Sequence, residues 1–229
     1  MSETVAAVAS STSPGSGSLD PGSLDPGSLG PGRLVLVVGP SGAGKDTLIN
    51  LARAECAGDP DVVFPRRVVT RSASPFEDNE EMSAATFRQA LADGCFALHW
   101  EAHGHSYALP RAIDDDVRSG RAVVVNVSRR VIAALRQRYE KVVVVAIMAP
   151  PEILAARLAA RKRGSDVDVG ERLQRVIDGG EPPDFTIVNV GDAREHAAVL
   201  TRIIKGEHGL RQGGNAERRG SANADHHHD

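Results

Sequence analysis

Gly39-Pro40-Ser41-Gly42-Ala43-Gly44-Lys45-Asp46-Thr47 has the spacing G-x-x-x-x-G-K, which carries a specific chemistry. Glycines let the backbone turn sharply, so that its N–H groups point inward at a polyphosphate. The N-terminus of a following helix adds partial positive charge, and Lys45 adds a full one. The flanks supply the required context. Leu34-Val35-Leu36-Val37-Val38 is an unbroken apolar run, as expected of a strand buried on both faces, and Leu48, Leu51 and Ala52 fall on one side of a helix. An ordinary Gly-rich turn would need neither the lysine nor these flanks. Residues 39–47 are therefore the candidate nucleotide-binding residues.

The residue after such a lysine is usually Ser or Thr, whose hydroxyl meets Mg²⁺. Here it is Asp46, followed by Thr47. A carboxylate beside a triphosphate is unfavourable unless a cation lies between them. Asp46 thus either helps hold a metal, with Thr47 as a neighbouring oxygen donor, or caps the helix.

Phosphoryl transfer asks for positioning and positive charge rather than covalent help from the protein. Beyond a donor cradle it needs an acceptor-phosphate cradle and cations that close over the transferred group. Arg67 and Arg71, with Thr70 at the end of the short run Arg67-Val68-Val69, are candidates for the acceptor side, because an arginine fork holds phosphate bidentately. The alternative for both is a solvated surface position. Glu77, His103 and Tyr107 are further acceptor-side candidates, as are Asn126 and Ser128 beyond the strand Val123-Val124-Val125. Arg157 and Arg161 are four residues apart and share a helical face, while Leu154 and Leu158 line another. With Lys45 they are the candidate catalytic cations. Lys162 and Arg163 follow them, and Gly164-Ser165-Asp166 would let the segment hinge as a lid. Helix-dipole preference alone would also favour basic residues there. Arg172 and Arg175 on the next helix could supplement the set.

The elements that must position these groups alternate between strand-like and helix-like, which predicts an α/β fold with a largely parallel sheet. A helix is expected from an N-cap at Ser83 to just before Gly94, then a strand at 95–98, a turn at 103–106, and a helix opened by Pro110 and ended by Gly120. Core strands are expected at 123–125, 142–147 and 186–188, with helices after Pro150-Pro151, over 169–177 and over 193–205. Ligands in such sheets bind beyond the carboxyl ends of the strands. That rule selects the loop after Val38, Thr70-Arg71, Asn126-Ser128 and the Pro150 turn.

The 229 residues suffice for one domain, and at 3% aromatic content Val, Ala and Leu must fill its core. A formal charge of −3 argues against nonspecific polyanion binding, so no nucleic-acid partner is expected. No apolar stretch is long enough to span a membrane, and the N-terminus lacks the basic start and apolar core of a secretory signal. Two cysteines suit a reducing compartment, and the cytoplasm is the expected location. Residues 1–32 contain no aromatic or basic side chain and repeat Gly-Ser-Leu-Asp-Pro in tandem, which predicts a disordered tail before a domain at 33–205. Residues 206–229 read as a second disordered tail, whose His226-His227-His228 lacks a scaffold for a metal.

These residues resemble the ribose 1,5-bisphosphate phosphokinases. The similarity lies in Gly39 to Asp46, Arg67-Val68-Val69-Thr70-Arg71, Phe96 to Gly104 with Tyr107, Val125 to Arg129, and Ala149-Pro150-Pro151-Glu152 leading into Arg157 to Arg161. The resemblance covers about residues 33–205. It implies a guanylate kinase-like P-loop kinase fold of three layers, with a mostly parallel sheet between helices and a small lid. It also implies ATP and Mg²⁺ as cofactors and a sugar phosphate as substrate. The implied reaction phosphorylates ribose 1,5-bisphosphate at its anomeric phosphate, yielding 5-phosphoribosyl 1-diphosphate and ADP, an activity linked in bacteria to phosphonate catabolism. The alternatives are guanylate kinase or another small-molecule kinase on the same scaffold, and a catalytically silent nucleotide-binding module. Asp46, and Asn126-Val127-Ser128 in place of an acidic strand end, depart from guanylate kinases. Asn79 stands where the sugar-phosphate family carries His, and His105 and Ala108 also depart from its pattern.

Overall fold

In the computed structural model, which describes residues 29–72, 78–102, 104–160 and 182–207, the run Leu34–Val38 lies at the centre of a sheet with every side chain at most 1% exposed. This strand, β1 (Arg33–Val38), alternates its side chains between two cores. Leu34, Leu36 and Val38 enter one, and Val35 and Val37 the other. Burial on both faces is why the run is apolar throughout instead of alternating with polar residues.

Along the chain β1 is followed by α1 (Lys45–Glu55), β2 (Val62–Val63), β3 (Arg67–Val69), β4 (Asn79–Glu81), α2 (Ala84–Ala92), β5 (Phe96–Ala102), β6 (His105–Pro110) and α3 (Ala112–Arg118). Then come β7 (Ala122–Asn126), a 3-10 turn (Arg129–Val131), α4 (Ile132–Arg138), β8 (Val142–Met148), α5 (Pro151–Ala160), β9 (Phe185–Val188) and α6 (Ala193–Lys205). Five parallel strands form the main sheet in the order β2-β7-β1-β8-β9. On one face α1 and α6 bury Leu48, Ile49, Ala52, Leu200, Ile203 and Ile204. On the other, Ile113 and Val117 of α3 and Ile132 and Leu135 of α4 join Trp100, Tyr107 and Leu109 from a second sheet. That sheet has four strands in the order β4-β3-β6-β5.

The second sheet corrects three expectations. Arg67-Val68-Val69 is a strand, but it pairs with β4 and β6 and is not a member of the parallel sheet. The stretch 103–106 is not all turn, since His105 and Ser106 pair with Ala102 and Glu101 in an antiparallel hairpin. Pro110 closes β6 opposite Phe96, and the helix begins at Ala112. A proline is tolerated at a strand end, where no ladder donor is required of it, so it served as a terminator here. By contrast, α2 has the expected Ser83 N-cap, whose hydroxyl accepts from Thr86 N at 3.0 Å, and α6 covers 193–205 as its pattern predicts.

The described chain begins four residues ahead of the expected domain start. Leu29 N donates to Arg138 O and Glu140 N donates to Leu29 O, each at 2.8 Å, so residues 29–32 are joined to the domain. Glu77, His103, Arg161, Lys162, Arg163, the Gly164-Ser165-Asp166 hinge, the expected helix at 169–177 with Arg172 and Arg175, and residues 1–28 and 208–229 lie outside the described residues.

Candidate active site

The glycine loop runs from the carboxyl end of β1, which is flanked by β7 and β8, into α1. Two of its glycines are demanded by geometry. At Gly39 a Cβ would fall 2.1 Å from Ile147 O, because the loop leaves β1 hard against β8. Gly44 has φ 90° and occupies the N-cap of α1 in the left-handed region, where an L side chain is strained. Lys45 Nζ donates to Gly39 O at 2.9 Å and to Pro40 O at 3.0 Å, so the ammonium is drawn back over the loop it follows.

Because Gly44 takes the N-cap position, Asp46 does not cap α1. Its Oδ1 instead accepts from Asn126 Nδ2 at 2.9 Å. Asn126 ends β7, the neighbour of β1, so the carboxyl-end rule and the unusual Asp46 converge on one contact. Asp46 and Asn126 line a cleft together with Arg67, Asn79, Arg53 and Asp78. Arg67 Nη1 donates to Asn126 O at 3.2 Å.

Tyr107 organises the arginine side of this region. Its ring is 7% exposed and stacks on Trp100 with centroids 5.6 Å apart. The Arg67 guanidinium lies 5.1 Å from the ring centroid and that of Arg71 lies 6.0 Å from it, while Arg71 Nε donates to the Tyr107 hydroxyl at 3.3 Å. The tyrosine is thus a platform for two guanidiniums, a weak attraction that gains strength with desolvation. Thr70 lies between them, but its hydroxyl is engaged with the Ser106 backbone, accepting from Ser106 N at 2.9 Å. Ser128 caps the 3-10 turn, accepting from Arg130 N at 3.4 Å. Arg157 Nη1 reaches Gly42 O and Ala43 O at 3.4 Å each.

Three contributors were not singled out from the sequence. Asp78 pairs with Arg53 at 3.0 Å and with Arg66 at 2.9 Å, fastening the start of β4 to α1. Arg53 is two turns along the helix from Asp46, a helical spacing that could have placed it on the same cleft. Asn189 directly follows β9, and the carboxyl-end rule applied to that strand would have found it.

A glycine loop between a central parallel strand and a helix, beside a second sheet that delivers arginines, defines a P-loop protein of guanylate kinase-like fold. In agreement, the crystal structure of guanylate kinase from Anaplasma phagocytophilum superposes with a TM-score of 0.56 at 22% identity, covering 79% of this chain and 88% of that one. No family model matches the chain. Curated relatives do. It is 63% identical over 176 residues to the ribose 1,5-bisphosphate phosphokinase PhnN of Bradyrhizobium diazoefficiens, covering 76% of this chain and 89% of the relative. It is 59% identical to that of Rhodopseudomonas palustris (76% and 88%) and 58% identical to that of Methylobacterium radiotolerans (75% and 97%). The chain belongs to the ribose 1,5-bisphosphate phosphokinase family.

Proposed function

We propose that this protein transfers the γ-phosphoryl group of ATP to the anomeric phosphate of ribose 1,5-bisphosphate, forming 5-phosphoribosyl 1-diphosphate and ADP. The observation that carries the reading is the identity of 58–63% to relatives named for this activity, over three quarters of the chain. The site chemistry agrees with it. The attacking group is already a phosphate oxyanion, so the reaction needs no strong general base, and both carboxylates on the cleft are engaged, Asp46 with Asn126 and Asp78 with Arg53 and Arg66. It does need cations, because donor and acceptor are both anionic.

In this reading residues 39–47 hold the ATP polyphosphate, with Lys45 released from the Gly39 and Pro40 carbonyls onto the transferring group. Arg67 and Arg71 hold an acceptor phosphate from the Tyr107 platform, with Asn126 beside them. Arg157 and Arg161 neutralise the charge that develops in transfer, Arg172 assists, and the segment carrying Arg161 acts as the lid. Thr70, Ser128, Glu77 and His103 complete the acceptor side. The Asp46 carboxylate and Thr47 hydroxyl are hard oxygen donors beside the phosphate loop, and the described residues contain no cluster of three metal ligands. That donor set fits Mg²⁺, which takes one or two carboxylates and relies on substrate phosphates for the rest. Bound there with ATP, Mg²⁺ would screen the phosphate charge.

No helix of the described residues is long and apolar enough to cross a membrane, and we infer that the enzyme works in the cytoplasm. The catalytic unit is taken as 33–205, with the stretches on either side as tails. The deciding experiment incubates the protein with ATP, Mg²⁺ and separately ribose 1,5-bisphosphate, GMP and gluconate, following ADP and the phosphorylated product. Turnover is expected with the bisphosphate. Its absence overturns the proposal, and turnover of GMP would mark a guanylate kinase instead.

A further inference from the structure

A phosphate loop binds through its N–H groups, so its peptides must be held in one orientation before the ligand arrives. The peptide between Ala43 and Gly44 has an unusual holder. Asn189, 2% exposed, donates from Nδ2 to Ala43 O at 2.8 Å. A Cβ on Gly44 would lie 2.3 Å from that nitrogen, so the amide packs directly on the backbone preceding Lys45. The backbone of Asn189 is itself fixed, its N–H donating to Met148 O at 2.8 Å and its carbonyl accepting from Arg157 Nη2 at 3.2 Å. One residue therefore ties the ends of β8 and β9 and helix α5 to the loop.

The amide orientation is dictated by its partner. Ala43 O is an acceptor, so nitrogen must face it, which leaves Asn189 Oδ1 buried without a hydrogen-bond partner among the described residues. An unsatisfied buried acceptor costs stability. An apolar side chain would fill this site without that penalty, so the packing of the core does not account for an amide here. What the amide adds is a donor to the loop.

We propose that Asn189 is a positioning residue of the phosphate loop. It holds the Ala43–Gly44 peptide so that the loop amides face the nucleotide phosphates, with Arg157 as its companion on the Gly42 and Ala43 carbonyls. The proposal rests on the reading of residues 39–47 as the ATP site. Asn189→Asp keeps the shape but sets an oxygen against Ala43 O, and Asn189→Leu keeps the volume without the donor. Both are made in the full chain and compared with the unaltered protein by calorimetric ATP binding, KM for ATP, KM for the acceptor, and thermal melting. ATP affinity is expected to fall about tenfold in both variants, the scale of one lost hydrogen bond, and further in Asn189→Asp, where two acceptors oppose each other. The acceptor KM stays within about twofold, because the acceptor cleft does not include this residue. Should Asn189→Asp fail to fold, Asn189→Leu carries the comparison. Unchanged ATP affinity in a folded variant, or an equal rise in both KM values, overturns the role of Asn189. Failure of the unaltered protein to bind ATP overturns the nucleotide reading beneath it.

Discussion

Asn126 Nδ2 donates to Asp46 Oδ1 across 2.9 Å, joining the end of β7 to the first turn of α1. The contact gives the unusual carboxylate a fixed orientation beside the phosphate loop, on the cleft that also contains Arg67. An oriented carboxylate suits a metal-binding role, since the partners of a ligating group set its affinity.

That arrangement predicts a graded dependence on Mg²⁺. Asp46→Ala should raise the Mg²⁺ concentration for half-maximal activity by more than about tenfold, and Asn126→Ala, which leaves the carboxylate but frees it, by about tenfold or less. Titrating Mg²⁺ at fixed ATP measures both. Equal Mg²⁺ curves for Asp46→Ala and the unaltered protein would remove the metal from Asp46.

Lys45 Nζ donates to the Gly39 and Pro40 carbonyls of the loop, and under the proposed function its charge moves onto the transferring group. Lys45→Ala is expected to lower kcat by about 10²–10³ while the melting temperature and far-ultraviolet circular dichroism hold. Survival of most of the activity would locate the donor cradle elsewhere.

Tyr107 touches two arginines in different ways, and the two can be separated. Tyr107→Phe removes the hydroxyl that accepts from Arg71 Nε but keeps the ring beneath both guanidiniums. Tyr107→Ala removes both. The acceptor KM should rise roughly threefold to tenfold in the first, the range of one modest hydrogen bond, and further in the second, with the ATP KM unchanged in Tyr107→Phe. A Tyr107→Phe variant whose ATP KM moves instead would break the assignment of Arg71 to the acceptor.

Legibility in the sequence followed the range of the interactions. The strand at 34–38, the glycine loop, the Ser83 cap and the helix at 193–205 were all readable, because periodicity, capping and turn chemistry act over a few residues. β6 was missed because Pro110 at its end mimics a helix opening. β4, Asn-Glu-Glu, has no apolar alternation to betray it and exists by pairing with β3. Arg67 and Arg71, proposed for the acceptor side, were selected by a rule for parallel sheets although β3 belongs to the other sheet. Arg67 reaches the cleft, and Arg71 the same tyrosine, because that sheet packs Trp100 and Tyr107 against the main core.

By itself the sequence determined that a phosphate-loop motif follows a buried strand, since residue types within nine positions suffice for it. The tertiary structure alone decided what surrounds the loop. Asp46 meets Asn126 across 80 residues of chain, and Ala43 meets Asn189 across 146. Such pairings depend on which strands become neighbours in the sheet, and β7, β1, β8 and β9 are brought side by side only by burial of their apolar faces between the helices. A short-range pattern carries no trace of that order, so the contacts of Asp46 and Asn189 became readable only once the strand ends stood together.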